Sequence, residues 1–385
     1  MWRAIASVAF AALAVPALAA QLVARTADAT PLRPSMGQAA PIASIPPGAE
    51  LKVEICFSAG KWCAVTYQGQ QGFVAGAAIV LDIDGKSINA AEAQAKDWAA
   101  AVAKLPTPAL DDSSDIAAWG DSLTAGAGAD VGDGYTDQAR SLLGGTRLIA
   151  NMGIGGQTSS SIAARMDAIG ILLTLADDTI PDGGSAEVVD RTALPLTNQG
   201  ASTLSGTLCG VAGTLAVSAK AGPNQPVPPY VFTPDQAGQV VACPSRSRFV
   251  PADAVALRNR VAWLWLGRNG ADKGRTIAGD IEAAVASLGH QRYLVGSVLA
   301  ARLDDGPPAQ RIFELNAALK RSYGSRFVDV LGALVAAASE SAEDQADARQ
   351  GFVPRSLLSD SIHLNQKGYA IVARAFVAAM NANGL

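Results

Sequence analysis

Two hydrophobic patterns alternate along the second half of the chain. Short apolar-rich runs at 116–119 (IAAW), 147–151 (RLIAN), 261–266 (VAWLWL), 292–298 and 327–330 have the character of parallel strands, the third being apolar throughout as in a strand covered on both faces. Between them, residues 159–169, 276–288, 309–322 and 366–381 place apolar side chains at helical spacing. The alternation predicts an α/β fold, a three-layer α/β/α domain over 113–385 with a central parallel sheet. Two regions break the pattern. Residues 26–84 carry short β-type runs (LKVEICF, WCAVTYQ, QGFVAG) divided by Gly and Pro turns, which predicts a small N-terminal β barrel. Residues 183–250 (SAEVVDR, STLSGTLCGVAGTLAVSA, PYVFT, QVVACP) are strand-like without a helical period and predict a β-rich insertion within the larger domain. The Ala-rich stretch 85–112, closed by PTPALDDSSD, predicts a helical linker.

Composition adds a compartment and removes some partners. Residues 1–20, MWRAIASVAFAALAVPALAA, have a basic start, an apolar middle and an Ala17-Leu18-Ala19 end, the pattern of a secretory signal peptide cleaved after Ala19 or Ala20. No other apolar run approaches the length of about 18 residues that a membrane span needs, so a secreted or periplasmic protein without a membrane span is expected. A net charge of −4 over 385 residues, with no basic run, argues against a nucleic-acid partner. Four cysteines allow three connectivities; in an oxidising compartment the local one, Cys56–Cys63 and Cys209–Cys243, is expected, with free buried thiols as the alternative. With two histidines and no Cys-x-x-Cys, neither a metal nor a cofactor is expected, and the oligomeric state stays open.

The chemistry concentrates after the apolar runs. Residues 117–130 read AAWGDSLTAGAGAD, where Ser122 is either a nucleophile or an ordinary turn serine. A nucleophile needs a base, an orienting acid and oxyanion donors. Asn151-Met152-Gly153-Ile154-Gly155-Gly156-Gln157-Thr158 follows RLIA, Gly267-Arg268-Asn269-Gly270 follows VAWLWL, and Asp360-Ser361-Ile362-His363 precedes the last helix. In an open parallel sheet, ligands bind beyond the carboxyl ends of the strands, so three of these four motifs converge by topology alone. His290, the other histidine, reads as a surface or capping residue, and Asp121 as a turn residue.

The four motifs, in this order over 116–385, resemble the blocks of the SGNH, or GDSL, hydrolase superfamily. The resemblance implies Ser122 as nucleophile, His363 as base and Asp360 as its orienting acid. It further implies an oxyanion hole made of the Ser122 and Gly156 main-chain N–H groups and the Asn269 side-chain amide. The third block usually ends Gly-x-Asn-Asp, and Gly270 departs from it, which leaves the orientation of Asn269 open. Arg268 is expected either to bind a polar or anionic part of the substrate or to pair with an acid of a neighbouring loop. No Gly-x-Ser-x-Gly elbow surrounds Ser122, which sets the chain apart from lipase-type hydrolases. Residues 60–65 with 67–74 resemble bacterial Src-homology-3-like domains, in which Trp62 and Phe73 would be core aromatics. Together these imply an exported serine esterase acting on O-acyl, foremost O-acetyl, groups of a cell-envelope or extracellular glycan such as peptidoglycan. The alternatives are an exported broad-specificity lipolytic esterase or thioesterase, and a glycan-binding protein without catalysis.

Overall fold

The computed structural model describes residues 22–33, 41–57, 62–83, 86–89, 114–196, 203–217, 229–270 and 274–385. The expected signal peptide and nearly all of the expected linker lie outside them. The described chain opens with strands Leu22–Thr26 (β1), Thr30–Leu32 (β2), Ala43–Ile45 (β3), Glu50–Phe57 (β4), Trp62–Tyr67 (β5), Gln70–Ala75 (β6), Ile79–Ile83 (β7) and Lys86–Asn89 (β8). Six of them pair antiparallel in the open order β6-β5-β4-β1-β7-β8, and the β2–β3 hairpin meets β6 through an Arg33–Phe73 bridge. The long strand β4 serves both halves, pairing with β1 at Glu50 and Leu51 and with β5 from Lys52 onward. Phe73 is fully buried and joins the core of the following α/β unit, with Trp62 packed against it. Cys56 and Cys63 are register partners on β4 and β5 and Cys63 is disulfide-bonded, while the Cys56 side chain lies outside the described residues.

The α/β unit begins with Ile116–Gly120 (β9), a four-residue helix Ser122–Ala125 (α1), helix Tyr135–Leu142 (α2), Ile149–Gly153 (β10) and helix Ser159–Arg165 (α3). Here the chain leaves the unit through an insertion: Ile171–Leu175 (β11), Thr179–Ile180 (β12), Ala186–Arg191 (β13), Thr203–Leu208 (β14), Val211–Val217 (β15), Tyr230–Pro234 (β16), Val241–Ala242 (β17) and Ser247–Pro251 (β18). It returns through helix Ala252–Leu257 (α4) and Val261–Trp265 (β19), then Gly274–Leu288 (α5), Tyr293–Gly296 (β20), Pro307–Tyr323 (α6), Phe327–Val328 (β21), Val330–Ala336 (α7), Ala342–Arg349 (α8) and Gln366–Ala382 (α9).

Strands β10-β9-β19-β20-β21 form a five-stranded sheet, parallel throughout. Every residue of β9 and β19 is buried, which explains their uninterrupted apolar sequences. Helix α9 packs on α2 and α7, and α5 on α3 and α6. Tyr135, Trp263 and Phe376 stack at centroid distances of 5.0 to 6.2 Å and join α2, β19 and α9. The strand order reverses at β9, since its successor β10 lies on one side and β19 on the other. A crevice opens beyond the strand ends at such a reversal.

Six strands of the insertion close a barrel in the order β11-β13-β16-β15-β14-β18. Its first strand, ILLTL, stands ahead of the start expected at residue 183, because a five-residue apolar run beside a helix carries no periodicity that separates strand from helix end. The interior is filled by Leu173, Leu215, Tyr230, Phe232 and Phe249. At Gly206 and Gly213 a side chain would lie 2.4 Å from the rings of Phe249 and Phe232, so glycine is what lets those rings fill the barrel. Cys209 and Cys243 are joined by a disulfide with Cα atoms 5.5 Å apart. Asp167, buried at the end of α3, accepts from Arg248 at 2.8 Å and Arg258 at 3.4 Å, tying the barrel to the α/β unit.

Candidate active site

At the carboxyl end of β9 the chain turns sharply. A Cβ on Gly120 would fall 2.0 Å from Thr124 Oγ1, so only glycine permits this turn. Asp121 caps α1 by accepting the Leu123 N–H at 3.0 Å, and Ser122 is the first residue of that helix. Ser122 Oγ lies 3.0 Å from His363 Nε2, and His363 Nδ1 lies 2.7 Å from Asp360 Oδ2. A carboxylate can only accept, so Nδ1–H donates to Asp360 and Nε2 is left to accept from the serine hydroxyl.

The loop that delivers His363 is fixed from several sides. Asp360 Oδ1 accepts the N–H groups of Ile362 and His363, each at 2.7 Å, and the Ser359 N–H donates to the His363 carbonyl at 2.9 Å. Asn365 caps α9 with its side-chain oxygen while its amide donates to the carbonyls of Ser356 and Leu358. At the loop's base, fully buried Asp344 accepts the Ser356 N–H at 3.1 Å, and Asp347 accepts the Arg355 guanidinium at 2.9 Å from two of its nitrogens. Gly128 closes against the loop, where a Cβ would meet His363 Cβ at 2.7 Å.

The two aspartates beside the Ser–His pair are tuned in opposite directions. Burial works against ionisation of Asp360, but the His363 N–H, its imidazole and the Ile362 N–H outweigh it and bring the carboxyl down to about 2. Burial of Asp121 dominates instead and raises it to about 6, against the Leu123 N–H and the charges of Arg268 and His363. Its Oδ2 is buried with no hydrogen-bond partner among the described residues.

The β10–α3 loop runs beside Ser122. A Cβ on Gly155 would be 4.0 Å from Ser122 Cβ, and Gly156 holds a φ of 76°, the left-handed region open to glycine. Asn269 joins this loop: its Nδ2 donates to the Gln157 carbonyl at 2.9 Å, and it bridges to Thr158. One amide hydrogen is used in that bond and a second remains. Thus His363 is within hydrogen-bond reach of both Ser122 and Asp360, the Gly156 loop stands against Ser122, and Asn269 is tied to that loop despite Gly270.

Arg268 takes the second of its two expected roles. It is 8% exposed, and both terminal nitrogens bind the Asp304 carboxylate, at 3.1 and 3.0 Å. A buried guanidinium needs a paired anion, and Asp304 supplies it. Three residues escaped the sequence reading. Asp304 sits past the end of β20, where an acid could have been matched to Arg268. Gln157 lies inside the second motif, and Arg165 is the one charge on the otherwise small and apolar helix SSSIAAR. Among the described residues, no helix is long and apolar enough to cross a membrane.

A hydroxyl held against an imidazole, itself held by a carboxylate, can deliver an alkoxide-like oxygen to a carbonyl and return the proton to a leaving group. No family model matches the chain, and no curated protein matches it. Among solved structures, it is similar to a lipase/acylhydrolase from Enterococcus faecalis, at 12% identity over 70% of this chain and 96% of that one, with a TM-score of 0.39. It is also similar to a member of the lipolytic protein G-D-S-L family from Veillonella parvula, at 14% identity over 69% of this chain and 98% of that one, with a TM-score of 0.37. The hydrogen-bonded geometry, rather than these distant likenesses, carries the functional reading.

Proposed function

We propose that this protein is an exported serine esterase that removes O-acyl groups, O-acetyl foremost, from a cell-envelope or extracellular glycan through an acyl-enzyme. The observation that carries the reading is the Ser122–His363–Asp360 chain of hydrogen bonds, 3.0 and 2.7 Å long, at the reversal point of an open parallel sheet. In the first half-reaction Ser122 Oγ attacks the ester carbonyl while His363 Nε2 takes its proton and Asp360 stabilises the imidazolium. The Ser122 and Gly156 N–H groups and the Asn269 amide receive the oxyanion, and His363 protonates the departing alcohol. In the second, His363 draws a proton from water, which attacks the acyl carbonyl, and the imidazolium returns that proton to Ser122 Oγ as the acyl–Oγ bond breaks and the acid leaves. The two helix groups, α2–α7–α9 and α3–α5–α6, support the three-layer form of the domain.

Export is supported by the Cys209–Cys243 disulfide, a bond that persists in oxidising compartments. A polymeric substrate is supported by a cleft of about 850 Å³ between the N-terminal sheet and the end of α2, lined by polar residues including Lys52, Gln68, Gln70, Arg140 and Ser141. Neither Ser122 nor His363 lines it: residues 144–146 precede β10, at the amino end of the sheet, whereas Ser122 follows β9 at the carboxyl end, so the cleft would hold a polymer apart from the ester. The test is a series of p-nitrophenyl esters of rising chain length together with acetate release from an O-acetylated glycan. Acetyl esters are expected to be preferred over butyryl and longer ones. Faster turnover of octanoyl esters with no acetate released from any glycan would replace this reading with the lipolytic one.

A further inference from the structure

Behind the oxyanion loop lies a buried cation that the reaction as written does not use. Arg165, the last residue of α3, is 2% exposed. Its Nε donates to Gln157 Oε1 at 2.7 Å, and its Nη2 donates to the Met152 carbonyl at 2.8 Å and the Gly120 carbonyl at 3.4 Å. The guanidinium also lies 5.3 Å from the centroid of the Trp119 ring. These carbonyls are not arbitrary. Gly120 directly precedes Asp121 and Ser122, and Met152 stands one residue before the end of β10, so one side chain fastens the carboxyl ends of the two strands that deliver the nucleophile and the Gly156 loop.

Gln157 carries the contact onward. It is fully buried, and both ends of its amide are engaged: Oε1 by Arg165, and Nε2 by the Pro195 carbonyl at 2.7 Å. With its side chain clamped, its main-chain carbonyl is held in place, and that carbonyl accepts from Asn269 Nδ2. The direction of the second Asn269 N–H therefore follows from the setting of Gln157.

We propose that Arg165 and Gln157 are positioning residues for the oxyanion site, Arg165 fixing Gln157 and the Gln157 carbonyl orienting the Asn269 amide toward the reacting carbonyl. This rests on the reading of Ser122 as nucleophile and Asn269 as oxyanion donor. Burial pulls Arg165 down to about 10, with Asp253 the acid that opposes the shift, so the side chain stays cationic at neutral pH. It also explains how Asn269 is oriented without the carboxylate that Gly270 replaces. The donor is set from the neighbouring loop.

The test is a double-substitution cycle on the mature enzyme with p-nitrophenyl acetate. Asn269→Ala alone is expected to lower kcat by about 10²–10³, as loss of an oxyanion donor does. Gln157→Met, which removes both polar atoms at similar volume, is expected to lower kcat by about tenfold with KM within about twofold, and to cost less than about twofold in the Asn269→Ala background. Gln157→Glu keeps the acceptor for Arg165 but leaves the Pro195 carbonyl without its donor, and is expected to restore kcat only in part, to a value between Gln157→Met and the parent. A merely structural role would lower the melting temperature without this coupling. If Gln157→Met costs the same factor in both backgrounds, or costs nothing in either, the proposal is overturned. Should Gln157→Met fail to fold, Arg165→Lys, which keeps charge and bulk but loses the fork, runs the same cycle. Mass spectrometry after fluorophosphonate labelling separates the two levels. Label on Ser122 upholds the underlying reading whatever the cycle gives, and its absence there removes both.

Discussion

The two histidines both lie in loops and differ in what faces their ring nitrogens. His290, between α5 and β20, is held at both ring nitrogens by main chain: Nε2 meets the Arg258 carbonyl at 2.8 Å, and Nδ1 accepts the Arg292 N–H at 3.2 Å. His363 meets a serine hydroxyl at Nε2 and a carboxylate at Nδ1. The partners dictate opposite tautomers, Nε2–H for His290 and Nδ1–H for His363. Only His363 has a group on its far side that a proton transfer can activate. An imidazole becomes chemistry through what faces each nitrogen, and the His290 turn is the internal control for the other.

The largest expected difference is in turnover. His363→Ala and Ser122→Ala should each lower kcat by about 10⁴–10⁶ with circular dichroism unchanged, whereas His290→Ala should leave it within about threefold. Comparable losses at both histidines, measured on p-nitrophenyl acetate, would erase the contrast. A smaller effect, on stability, comes from Asp121. Its folded pKa of about 6 lies above the ordinary aspartate value of 3.8, so its contribution is fully present below about pH 4 and is lost as pH rises to about 6. The shift corresponds to at most about 3 kcal/mol, and Asp121→Asn should flatten the melting temperature against pH across that window. An unchanged slope would remove Asp121 as its source. The smallest effect belongs to His290 and has the opposite sign. Burial lowers its pKa, so its contribution is present above the unfolded value of about 6.5 and is lost as pH falls through the folded one. His290→Gln should therefore make the protein less sensitive to mild acid at a cost of about 1 kcal/mol at neutral pH, read from urea unfolding at two pH values. Greater acid sensitivity in the variant would contradict it.

Much of this contrast was legible in the chain. The motif around His363 carries an acid three residues upstream, and that around His290 does not. Strands β9 and β19 announced themselves because burial on both faces leaves only apolar residues, and the chemistry follows them directly. What stayed hidden depends on pairing across the fold. Nothing local to Arg268 says that Asp304 lies within reach, and nothing in SSSIAAR says that its arginine points inward to the Gly120 and Met152 carbonyls.

The inserted barrel has one more property. Its entry and exit strands are ladder neighbours: Ile171 on β11 faces Phe249 on β18. Facing residues in an antiparallel pair stand only about 4.5–5.5 Å apart, a gap that a two-residue hairpin turn closes. To the α/β unit, then, the whole barrel leaves and returns at one point, so the threading of the parallel sheet is independent of it. Asp167 and Gln157, which reach across to Arg248 and Pro195, are the polar ties that hold the barrel to the unit at that point.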